Sequence, residues 1–139
     1  MIASMDFDGG LAAASLSRMV TNSLKAIGFV VHRRGQAPVG EYVGVLVEEG
    51  FPDEEGGVFV SWHTSKEMRV ACRAAIDQDD LKAPAFRMSA GVEYTIFQML
   101  LSVLTEAGFE AAEADGFRHM QIHVIGVTGP TLGDLVEPI

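Results

Sequence analysis

Val92–Ala107, VEYTIFQMLLSVLTEA, is the stretch whose reading decides the fold. It is long enough for more than four helical turns. Ile96, Leu100, Val103, Leu104 and Ala107 recur at helical spacing, while Phe97, Met99 and Leu101 spread apolar surface onto the other faces. A helix apolar nearly all round is expected to be buried on more than one side. In a small protein it therefore lies on a sheet, with another helix or a second subunit at its back. Gly108 and Phe109 end it, glycine taking the left-handed conformation of a helix stop and phenylalanine closing the cap.

Upstream, Thr64 and Glu67 have capping-box spacing and open a second helix with the stripe Met68, Ala71, Cys72, Ala75 and Ile76. Between the two helices DQDDLKAPAFRMSAG breaks the pattern, and Ser89 is placed to cap the long helix. Before them come three runs that read as strands: Phe29 to Arg34, Tyr42 to Glu48 and Val58 to Trp62. Short connections predict an antiparallel meander. Its second hairpin end is acidic, with Glu48, Glu49, Asp53, Glu54 and Glu55 close together.

The first helix is expected from about Gly10 to Ile27, capped by Asp8 and carrying Leu16, Met19, Val20, Leu24 and Ile27 on one face. Gly28 and Phe29 end it as Gly108 and Phe109 end the long helix, a common stop signal rather than proof of an internal repeat. Beyond the long helix, strands are expected near Phe109 to Ala114 and from about His119 to Val127. The Gly/Pro-rich residues 128–139 form an irregular C-terminal arm packing through Leu132, Leu135 and Val136.

The order α-β-β-β-α-α-β-β predicts one α+β domain over 1–139: an antiparallel sheet of about five strands with helices mainly on one face. In element order alone this resembles the small acidic secretion chaperones, which are dimers; no sequence motif carries the likeness.

The chain has 139 residues, 48% hydrophobic and 21% charged, as a folded globular chain does. Its net charge of −9 argues against nucleic acid, whose binding runs on Lys and Arg neutralising phosphates. The single Cys72 excludes an internal disulfide and is read as a buried, unreactive member of its helical stripe. No apolar run reaches the roughly 20 residues of a membrane span, and MIASMDFDGG lacks the basic start of a secretory signal. The expectation is a soluble, cytoplasmic protein.

The residues that suggest chemistry are few. Trp62, His63, Ser65 and Lys66 lie where a strand meets a helix start, whose free N–H groups favour an anion. No G-x-S-x-G elbow accompanies the Ser and His, and neighbours on a strand point to opposite faces. Arg33 and Arg34 beside the Gly/Pro loop suit a phosphate or carboxylate, but their spacing matches no phosphate-binding motif. His119 and His123 on one strand would stand roughly 13 Å apart, too far for one ion. With His119, Gln121 and His123 they read as the polar face of the last strand. No metal, cofactor or catalytic set is expected.

The reading is a non-catalytic protein-interaction module, a homodimer that binds another protein. Phe97, Met99 and Leu101 are the candidate interface, with the long helix or an open sheet edge at the contact. The alternative is a small-molecule binder or enzyme using Trp62–Lys66 or the polar face of the last strand. A deep pocket lined by Trp62, His63 and His123 would favour the alternative, and a flat apolar patch the first.

Overall fold

The computed structural model describes residues 12–33, 43–50, 56–80 and 82–136. The elements are α1 (Ala13–Ile27), β1 (Val31–Arg33), β2 (Gly44–Glu49), β3 (Val58–His63), α2 (Lys66–Asp77), α3 (Pro84–Glu106), β4 (Phe109–Glu113), a 3₁₀ turn (Gly116–Arg118), β5 (Ile122–Val127) and α4 (Leu132–Val136). This is the predicted α+β order with a short final helix added. The expected cap Asp8, Arg34, the loop after it and most of the acidic hairpin tip lie outside the described residues.

The five strands form one sheet in the order β1-β2-β3-β5-β4. It is mixed, not purely antiparallel. β2, β3, β5 and β4 pair antiparallel, but β1 pairs parallel with β2, Val31 opposite Val45 and Arg33 opposite Val47. The expected meander holds only for β2 and β3. The reason is reach: the chain between Arg33 and Gly44 can span roughly 30 Å when extended, against about 10 Å for a three-residue strand. A return to the start of the sheet is therefore as accessible as a hairpin.

Alternation sorts each strand. Val45 and Val47 on β2, Val58, Val60 and Trp62 on β3, and Ile122 and Val124 on β5 share the face under α1 and α3. Leu16, Val20 and Leu24 of α1 and Phe97, Leu100 and Leu104 of α3 complete this core, with Phe109 of β4. The opposite face presents Leu46, Glu48, Phe59, Ser61, His63 and His123.

The long helix starts earlier than predicted. Pro84 occupies its first turn, where a missing N–H goes unnoticed, and Ser89 is an interior, buried residue rather than the cap. Only one side of α3 is buried. Phe97 joins Leu100 and Leu104 on that side, while Ile96 and Val103 are partly buried at its margin. α2 is capped by Ser65, whose hydroxyl accepts from the Met68 N–H at 3.2 Å, so the cap falls one residue after Thr64. Cys72 is partly buried between α2 and α3, its Sγ 4.0 Å from the Ala85 carbonyl oxygen.

Both Gly-Phe stops form. Gly28 has φ +120° and its N–H reaches the carbonyls of Leu24 and Lys25, and Phe29 N–H also reaches Leu24. Gly108 has φ +105°, and a Cβ there would sit 2.6 Å from the Pro130 carbonyl oxygen. This close approach fastens the C-terminal segment to the end of α3, with Leu132 N–H on the Ala107 carbonyl at 2.8 Å. α4 then docks on α1, Gly133 N–H donating to Ser23 Oγ at 2.9 Å. Leu132 packs on the core, but Leu135 and Val136 point outward.

Candidate functional site

The residues of the strand–helix junction do not converge. Trp62 lies on the helix-covered face of β3. His63 lies on the other face, its Nε2 3.4 Å from Ser61 Oγ. Ser65 is occupied as a cap, and Lys66 is exposed at the first position of α2. A cleft at Trp62 holds about 80 Å³ and is lined by Glu93, Phe97, Leu100, Met120 and Ile122 besides β3. Ligand pockets run to roughly 300–1,000 Å³. Neither His63 nor His123 reaches this cleft.

Arg33 at the sheet edge donates from Nε to Ser17 Oγ of α1 at 3.1 Å. The last strand begins at Ile122, later than predicted, because a 3₁₀ turn and Met120 at φ +70° carry the chain around a corner first. His119 is therefore an exposed turn residue, and only His123 stands on the strand. Its ring stacks on Phe59 with centroids 4.5 Å apart, and its Nε2 lies 2.7 Å from the Gly56 carbonyl oxygen. Among the described residues no three His, Cys, Asp or Glu side chains converge as a metal site would require.

A polar feature that sequence reasoning missed lies beside His123. Arg118 Nη1 is 3.0 Å from Glu48 Oε1, and the guanidinium carbon lies 4.1 Å from the centre of the Phe59 ring. Both side chains are almost wholly buried. In the sequence Arg118 sits in a Gly-containing turn and Glu48 in an acidic run, and both patterns read as solvated surface. The pair joins distant parts of the chain, so no local signal announces it. It clamps the 3₁₀ turn to the sheet.

Exposed apolar side chains stand on α2 (Met68, Val70, Ile76) and α4 (Leu135, Val136) as well as in a row along α3. Of the predicted interface residues, Phe97 belongs to the core and Leu101 is partly buried against it. Met99 is 41% exposed, and Met88 at 69% and Val92 at 54% stand on the same side of the helix. Met88 falls before the expected Ser89 cap and so outside the predicted helix, and Val92, the first residue of the stretch Val92–Ala107, was not assigned to the interface. The sheet edges offer less. β1 is three residues long, and β4 carries Glu110, Glu113 and a bulge between Glu110 and Ala111. Short, charged and bulged edges resist strand pairing.

No helix among the described residues is long and apolar enough to cross a membrane. No known protein family, curated protein or solved structure matches the chain.

Proposed function

We propose that this chain is a non-catalytic protein-interaction module, a small acidic homodimer of chaperone-like character that binds a further protein in the cytoplasm. The observation that carries this reading is the exposed apolar side of α3, with Met88, Val92 and Met99 in solvent along a single helix. Single exposed apolar residues are ordinary, but a continuous row marks a contact surface. The small-molecule alternative rests on the Trp62 cleft, whose about 80 Å³ admits a few waters rather than a substrate.

The test is mass by light scattering at tens of micromolar. A dimer is expected, with Met99→Glu shifting it to a monomer of unchanged circular dichroism. A monomer mass that persists at several hundred micromolar sinks the reading.

A further inference from the structure

The outward side of α3, exposed from Met88 on and half-buried at Ala85 beside α2, has an internal symmetry. Ala85, Met88, Val92, Thr95, Met99 and Ser102 follow each other at alternating spacings of three and four along the helix. This is the a/d seam of a coiled coil, which drifts slowly around a straight helix. Read from either end, the seam has the same chemistry: a small residue, a methionine, a Val-shaped residue, then the same three reversed. Thr95 fits the apolar pattern because its hydroxyl is spent on the Gly91 carbonyl oxygen of its own helix at 2.9 Å. It thus offers its methyl group outward as Val92 does.

A surface with this pattern is self-complementary under a two-fold axis, where residue i meets j and j meets i. Charge points to the same occupant. The chain carries −9, so most of its surface repels a second copy. α3 is poor in charge: in its 23 residues only Arg87, Glu93 and Glu106 are charged, and none lies among the six seam residues.

Resting on the homodimer reading above, we infer that the partner on this face is a second copy, held antiparallel about an axis through the Glu93–Tyr94 level of α3. Met88 then packs on Met99 of the partner subunit and Val92 on Thr95 of the partner subunit. Ala85 and Ser102 of the partner subunit close each end. Antiparallel layers pair an a position with a d position, and each of these layers does so.

Cysteine cross-linking tests the register in a Cys72→Ser background. In an antiparallel pair, Met88 and Met88 of the partner subunit stand roughly 16 Å apart along the axis, at 1.5 Å per residue. That is too far for a disulfide, whose Cα atoms lie within about 7 Å. Met88→Cys alone is expected to stay uncross-linked on a non-reducing gel under mild oxidation. Met88→Cys/Met99→Cys is expected to run almost entirely as covalent dimer, and an equimolar mixture of the two single variants to give the mixed dimer.

Efficient cross-linking of Met88→Cys alone would show a parallel pair and overturn the inference. So would absence of cross-linking in the double variant while light scattering still reports a dimer, since the contact is then elsewhere and only the dimer reading survives. A monomer mass in the Cys72→Ser background and in the native chain alike removes both.

Discussion

Arg118 and Glu48 meet at 3.0 Å with their side chains only 4% and 3% exposed, and the Arg118 guanidinium rests on the ring of Phe59. Desolvating two charges is expensive, and their attraction offsets this only when geometry and further hydrogen bonds are good. Here Arg118 also donates to Gln121 Oε1 at 3.1 Å and lies over an aromatic face. The pair ties β2 to the turn that leads into β5, and so helps fix where the last strand begins.

Removing one partner takes the opposite charge from the other in a buried site. Glu48→Leu is expected to lower the unfolding free energy by about 3–5 kcal/mol in urea titration. Glu48→Leu/Arg118→Met should recover at least half of that loss, because both charges are then removed from the buried site. A double variant no more stable than the single one would show that other partners of these side chains dominate.

The α2 cap distinguishes two adjacent hydroxyls. Ser65→Ala should cost about 1 kcal/mol, since the Met68 N–H loses its acceptor. Thr64→Ala should change stability by less than about 0.5 kcal/mol. Thermal melts of the two variants decide this, and equal losses would return the cap to Thr64.

Docking of α4 on α1 leaves no room at Gly133, where a Cβ would lie 2.9 Å from Ser23 Oγ and 3.0 Å from Ser23 N. Gly133→Ala is expected to destabilise the fold by about 1–3 kcal/mol, with faster amide exchange at Leu132 and Gly133. Leu135→Ala should be nearly neutral, because that side chain is in solvent. A neutral Gly133→Ala would mean that α4 contributes little to the folded chain.

Element identity and order were legible in the sequence because they rest on local rules. The apolar periodicity of Leu16, Val20 and Leu24, the alternation of Val58, Val60 and Trp62, and the two Gly-Phe stops act within a few residues. Helix starts were less legible: Pro84 reads as a breaker or as a first-turn residue, and only packing of Ser89 and Phe97 chooses between them. Of the row on α3, Met99 was legible as an interface residue, whereas Met88 joins it only because α3 begins at Pro84, before the expected Ser89 cap.

What tertiary structure alone decided is non-local. The parallel placement of β1 beside β2 depends on a connection long enough to allow either direction. Which side of α3 is buried depends on how α1 and the sheet divide the available apolar surface, which a helix apolar nearly all round does not specify. The meeting of Arg118 with Glu48 depends on the register of β3 against both β2 and β5, which sets Phe59 between Glu48 and His123. Periodicity says which residues share a face of their own element. Only the pairing of elements says what that face meets.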